Sequence, residues 1–416
     1  MNEQVLNRKR YANGNIEKAL FLASVFFLPL WQIVSYVCWG LLVCLFIMKR
    51  EPMQFHFKIF RAYYVFFLLH LIGVFISNHF ADAWGDLAVK IPLILFPLIF
   101  SPLLNQNIIG KVKSFFCYGT LAATIYLMIR ALVNYEETGN TGCFYYINYS
   151  TYLHPTFFTI FLNVSLLFLF EKLAFKKFQN AAEKYLIVAQ IIFFLFNVYL
   201  ALARLSEATV IITLAFYVFL LLKHKSYLIK GAVFIGILLI ATILVFNNSR
   251  FQQFKDANVD EHNPDKTSLD TTYFNSTRTR IILFETGLAV FKNHFITGTG
   301  LANYDEDFKT YLKENNYPYL ARKFTGPHNQ YLETAILLGV PGLILLVYLY
   351  IGNIFKFLRK ENNLAASFVL IFAINALGEY TLRASGILIF CLLIVMFENM
   401  GALFPPVLDH QNKTPV

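Results

Sequence analysis

The chain predicts an all-α polytopic membrane protein, with about twelve transmembrane helices and one large outer loop that contains amphipathic helices. Three observations carry this expectation. Hydrophobic residues make up 57% of the 416 residues and charged residues only 14%, whereas a soluble domain is nearer half apolar and a quarter charged. The mean hydropathy is +0.54. Apolar runs of about twenty residues, the length that spans a bilayer as a helix, recur along most of the chain. Backbone groups in hydrocarbon find no water, so each run must satisfy its own hydrogen bonds as a helix.

Taken in order, the first two runs, 19–31 and 33–48, are short, split near Pro29, and predict a tight hairpin. Further spans are expected at 59–77, 87–103, 113–134, 151–171, 185–203, 206–222, 229–246, 329–352, 364–380 and 385–400. The chain thus divides into membrane helices over 1–246, a polar interval over 247–328, membrane helices over 329–400 and a tail over 401–416. Arg8, Lys9 and Arg10 precede the first run. No small-residue cleavage site follows, so the first span is read as uncleaved.

Charge fixes the orientation. Lys49, Arg50, Lys58, Arg61, Lys111, Lys113, Lys172, Lys176, Lys177, Lys184, Lys223, Lys225, Lys230, Lys356, Arg359 and Lys360 all fall on one side of this arrangement. Cations collect in cytoplasmic loops, so both termini are expected inside and the long interval outside. The net charge of +10 therefore needs no nucleic-acid partner. The five cysteines form no CxxC pair and read as small core residues.

The short outer loops hold Lys90, Arg204 and Arg383, each at or near a helix end. A cation placed there is a functional-site candidate. The alternative is that Arg204 pairs with Glu207 and Arg383 with Glu379, purely to satisfy buried charge.

The outer interval opens with a polar, irregular stretch over 247–277. A helix is then expected from Arg280 to Asn293, with Ile281, Phe284, Leu288 and Phe291 on one face. Ser276 or Thr277 would cap it. Arg280 would then sit in the first turn against the helix dipole, which suggests a charge kept for an anion; Arg278 lies beside it. Gly298-Thr299-Gly300 lacks the full phosphate-cradle fingerprint and reads as a turn between two amphipathic helices. The segment 304–319 is expected on the membrane surface. His328 follows Pro327 where the loop meets the next span, and a neutral imidazole there can take a proton from a hydroxyl. His154, before Pro155, occupies a similar place, whereas His70, in mid-span, reads as a packed polar residue. No cluster has metal-ligand spacing.

Arg280 four residues before Phe284, Gly298-x-Gly300, Pro327-His328-Asn329-x-Tyr331-Leu332 and Gly339-x-x-Gly342 together resemble the signature of the O-antigen ligase and polymerase superfamily. The motif covers about 276–342, and the layout with one large late outer loop is similar as well. Phe284 stands where relatives usually carry Trp. The resemblance implies a bacterial inner-membrane glycosyltransferase that works at the periplasmic face with no metal or other cofactor. Its implied donor is a glycan on undecaprenyl diphosphate, and its implied acceptor is a hydroxyl, foremost on lipid A–core. The same resemblance admits an O-antigen polymerase or a protein O-oligosaccharyltransferase. It implies His328 as the catalytic residue and Arg204 and Arg280 as diphosphate-binding groups. Lys90, His154, Arg278, Asn329, Glu379 and Arg383 are then candidates for substrate binding. The chemistry fits independently, because the diphosphate is a good leaving group and fixed guanidinium forks stabilise its developing charge. A lipid-linked glycan transporter fits less well: no internal repeat is visible, and the polar candidates lie at outer helix ends rather than at midplane.

Overall fold

The computed structural model describes residues 14–50, 56–176, 178, 180–222, 236 and 276–403. Among these, all regular structure is helical and no strand occurs. The span expected at 229–246 and the polar stretch 247–275 lie outside the described residues, apart from Gly236.

Helices α1 (Asn15–Leu30) and α2 (Gln32–Met48) are separated by Trp31 alone, whose extended backbone ends the first helix two residues after Pro29. They form the expected hairpin: Ser35 Oγ donates to Ser24 O at 2.7 Å, and the far ends are joined by a Lys49–Glu17 ion pair. Next come α3 (Phe57–Ile76), α4 (Phe80–Ala88) and α5 (Pro92–Ile99). The last two run on as one apolar span that begins at Phe80 rather than at 87. Helix α6 (Gln106–Thr138) has 33 residues and is about 50 Å long, so it projects beyond a hydrocarbon layer of about 30 Å. A short α7 (Tyr146–Tyr149) leads to α8 (Pro155–Phe175), α9 (Ala181–Ala201) and α10 (Arg204–Leu221).

After the undescribed stretch follow α11 (Ser276–Asn293), α12 (Tyr304–Glu314) and α13 (Pro318–Lys323). Then come α14 (Gln330–Val347), α15 (Asn353–Arg359), α16 (Asn363–Asn375) and α17 (Ala384–Leu403). Helix α17 is the centre of the bundle, and its run from Ile387 to Phe397 is buried on all sides. Among the described residues, six helical spans are long and apolar enough to cross a membrane, and Gln32–Met48, Leu205–Leu221, Asn363–Asn375 and Ser385–Met400 are shorter apolar helices. His70 is buried and its Nδ1 lies 2.8 Å from Phe66 O, the packed role expected of it.

The Gly298-Thr299-Gly300 turn has a structural role. Helix α14 breaks at Gly339 (φ 68°, ψ −165°), just before Pro341. The break and the missing proline N–H free carbonyls of the preceding turn. Thr299 N donates to Ile336 O at 2.8 Å and Gly300 N to Leu337 O at 3.2 Å, satisfying both. Val340 N returns a bond to Phe295 O at 3.0 Å, and Leu301 N reaches Gly73 O on α3 at 3.3 Å. The turn thereby ties the α11–α12 junction to α3 and to α14, the helix that His328 leads into.

Candidate active site

Helix α11 starts at Ser276, so Arg280 lies in its second turn and the first-turn dipole argument does not apply. The predicted apolar face is also turned differently. Leu283, Thr286 and Val290 pack inward, while Ile281 and Phe284 stay exposed and, with Leu288, line a cavity of about 810 Å³. Of the predicted face, Ile281 and Phe284 turn to the cavity, Leu288 touches both the cavity and the core, and Phe291 packs against the core.

Polar groups from distant segments converge on this cavity. The N-terminal ends of three helices border it: His154 is the N-cap of α8, Ala203 of α10 and Asn329 of α14. Asn329 caps its own helix, accepting from Leu332 N at 3.0 Å. Neither His154 nor Ala203 provides a side-chain cap, so α8 and α10 turn positive dipole ends to the cavity, although α8 starts on Pro155, which has no N–H, and Phe157 N bonds to His154 O at 2.9 Å.

His328 is held on every side. Its backbone adopts φ 49°, an uncommon left-handed conformation for a non-glycine residue. Its N–H donates to Tyr380 Oη at 2.9 Å. The imidazole stacks on Tyr380, with centroids 5.2 Å apart and planes 27° apart, and meets the edge of Phe324 at 5.7 Å. Nδ1 is buried and stands 3.7 Å from Glu379 Oε2, an ion-pair separation rather than a hydrogen bond. The side chain is nevertheless 32% exposed, so the ring presents its Nε2 edge away from Glu379. A carboxylate beside Nδ1 favours the proton there and leaves Nε2 as the acceptor.

Glu379 is the hub. Its Oε1 accepts from Arg280 Nη2 at 3.0 Å, and Arg280 Nη1 donates to Gly378 O at 3.1 Å. Burial pushes the Glu379 carboxyl up, but His328 and Arg280, with His154 nearby, outweigh it and hold the group below the usual carboxylate range. Arg280 is half exposed, and the guanidinium has five donors, so donors remain for a ligand.

Glu379 lies in the connector 376–383 because α16 ends at Asn375, five residues short of the expected span. Asn329 Nδ2 donates to Leu377 O at 3.0 Å, and Gln330 N to Ala376 O at 2.8 Å. Gln330 Oε1 accepts from Leu382 N at 2.8 Å, and Lys90 Nζ donates to Leu382 O at 2.6 Å. Arg383 lies over the Tyr380 ring, 4.6 Å from its centroid, and pairs with Glu333. The alternative pairing of Arg383 with Glu379 is therefore overturned: Glu379 belongs to Arg280 and His328.

Of the sequence candidates, His328, Arg280, His154, Asn329 and Glu379 line the cavity. Lys90 and Arg383 do not line it; they fasten the connector beneath it. Arg278 sits on α11 away from the lining. Arg204 begins α10 at the cavity rim between the lining residues Ala203 and Leu205; its side chain lies outside the described residues, as does the choice between pairing and ligand binding. Tyr380, and Gln330's part in tying the connector, leave no sign in the sequence, since neither stands in a motif with a partner. Among the described residues no group of three His, Cys, Asp or Glu side chains is placed to hold a metal.

Fold and cavity define an integral membrane protein with a polar chamber, half walled by apolar side chains, at one end of its helical bundle. Residues 189–347 match the family model described as O-Antigen ligase, which supports the resemblance to the O-antigen ligase superfamily. The matched segment runs from α9 into α14 and contains Arg204, Arg280 and His328, whereas Glu379 and Tyr380 come from outside it. No curated protein matches the chain.

Proposed function

We propose that the chain is an inner-membrane glycosyltransferase that moves a glycan from undecaprenyl diphosphate to an acceptor hydroxyl, foremost O-antigen onto lipid A–core. The observation that carries this reading is the meeting, in one cavity, of an imidazole backed by a carboxylate, a guanidinium with spare donors and two helix N-termini without side-chain caps. Such a site suits proton abstraction beside a departing anion. The apolar wall of Ile281, Phe284 and Leu288 suits a lipid carrier.

In this mechanism His328 Nε2 takes the proton of the acceptor hydroxyl as its oxygen attacks the anomeric carbon. The bond from that carbon to the diphosphate oxygen breaks, and undecaprenyl diphosphate leaves with the electron pair. Arg280 and the positive dipole ends of α8 and α10 stabilise the charge on the leaving group. Because Glu379 already shares Arg280, full neutralisation calls for a further cation, the role assigned to Arg204. His154 contacts substrate from the rim, whereas both ends of the Asn329 amide are taken up by Leu332 N and Leu377 O. The twelve-span arrangement with a periplasmic cavity belongs to the same reading, and a reporter fused at Asp265 should read outside.

The test is transfer from purified donor, with EDTA present, at equal amounts of folded enzyme. His328→Ala should lose roughly two to four orders of magnitude, the usual share of positioned proton transfer, while donor binding largely survives. His328→Gln should be as poor as Ala; near wild-type activity in the Gln variant removes the base assignment. A polymerase would use the same cavity, and a knockout separates the two: bare lipid A–core indicates a ligase, a single attached repeat unit a polymerase.

A further inference from the structure

Helix α8 begins in the His328 cavity and has 21 residues, so its far end lies about 30 Å away, one hydrocarbon thickness across a bilayer. There a second cavity of about 430 Å³ opens between α6, α8 and α9. Lys113 of α6, Lys172 of α8 and Lys176, the C-cap of α8, stand at it, with Glu171 as the carboxylate among the lining residues. Lys113 pairs with Glu171 at 2.6 Å. Glu183, outside the lining, pairs with Lys176 and lies 3.7 Å from Lys172. Three lysines against these two carboxylates leave one positive charge in excess. Between the lysines the wall is apolar, and Phe175 is 68% and Tyr118 52% exposed.

A cationic rim over an exposed aromatic floor, one bilayer away from the His328 chamber, matches a lipid with an anionic head and apolar tails. We propose that this cavity binds an anionic phospholipid of the inner leaflet. Its phosphodiester sits among Lys113, Lys172 and Lys176, and an acyl chain lies along Phe175 and Tyr118.

Gly110 supplies a clean test. It lines the cavity, and a Cβ added there would meet nothing within 4 Å. A larger side chain would enter the open space without disturbing packing, and replacing a helical glycine favours the helix. The full chain is placed in nanodiscs of phosphatidylcholine with or without phosphatidylglycerol, and retained lipid is counted by native mass spectrometry alongside thermal unfolding. Wild type should retain a phosphatidylglycerol molecule through delipidation and gain thermal stability from it by mass action. Gly110→Leu and Lys172→Gln should fold normally and lose both effects. Equal retention in wild type and both variants overturns the proposal. So does inorganic phosphate, added at millimolar concentration to phosphatidylcholine discs, reproducing the full stabilisation, because the site would then take a free anion and not a lipid.

Discussion

Arg280 and Glu379, 99 residues apart in the chain, meet at 3.0 Å, and the same guanidinium reaches Gly378 O at 3.1 Å. Two bonds in different directions from one planar group hold the connector and fix the carboxylate that faces His328. Arg280→Ala should therefore disturb both anion stabilisation and imidazole placement. We expect roughly a hundredfold loss of transfer or more, the scale seen when one fixed donor to a developing anion is removed. Arg280→Lys should not restore it, since an ammonium cannot reproduce the planar fork. Steady-state transfer with varied donor concentration checks this, and a fully active Lys variant would show that only net charge matters.

Tyr380 is a positioning residue. Its hydroxyl accepts the His328 N–H at 2.9 Å and its ring stacks on the imidazole. Tyr380→Phe keeps the ring but leaves a buried donor unsatisfied, at a cost of about 1–3 kcal/mol. If that cost appears as loss of the left-handed backbone at His328, kcat should fall roughly tenfold with KM for the donor nearly unchanged. Tyr380→Leu should fall further. A rise in KM with constant kcat in both variants would place Tyr380 in substrate binding instead.

Much of this was legible in the sequence, for a physical reason. His328, Arg280 and His154 are polar residues where apolar helices end, and such residues stand out against lipid-facing sequence. What backs them was not legible. Nothing local shows that α16 stops at Asn375, which releases Glu379 and Tyr380 into a connector folded over the start of α14. Periodicity likewise placed Ile281, Phe284 and Leu288 together but could not tell a core from an apolar-walled cavity. Lys90 and Arg383 looked like ligands because cations are rare on that side; their bonds to Leu382 O and Glu333 show fasteners.

The glycine turn gives a stability prediction separate from catalysis. Gly298 has φ 74°, and a Cβ there would overlap the Leu337 carbonyl. Gly298→Ala should lose at least about 1–2 kcal/mol from the left-handed backbone alone, and more from displacing α14 at its break. Thermal unfolding in detergent measures this. An unchanged unfolding temperature would mean that α11 and α12 are held to the bundle by other contacts.

The depressed pKa of Glu379 sets a pH window. A carboxyl held below its unfolded value, about 4.3, contributes stability that is fully present above that value. The contribution is lost as pH falls through the folded pKa. The groups that face Glu379 are Arg280, His328, His154 and Thr156, whose hydroxyl lies 3.5 Å from Oε1. Acid removes the pair by protonating Glu379. Glu379→Gln should be less stable than wild type near neutral pH, and the gap should close only as pH falls through the lowered folded pKa of Glu379, beyond which both side chains are neutral. Because Arg280 is half exposed, raised salt should narrow the gap without abolishing it. Unfolding temperatures of both proteins across pH 3–8, at low and high salt, decide the matter. A gap already closed at pH 6 would show that the carboxylate is not held ionised by these partners, and that His328 is placed by Tyr380 alone.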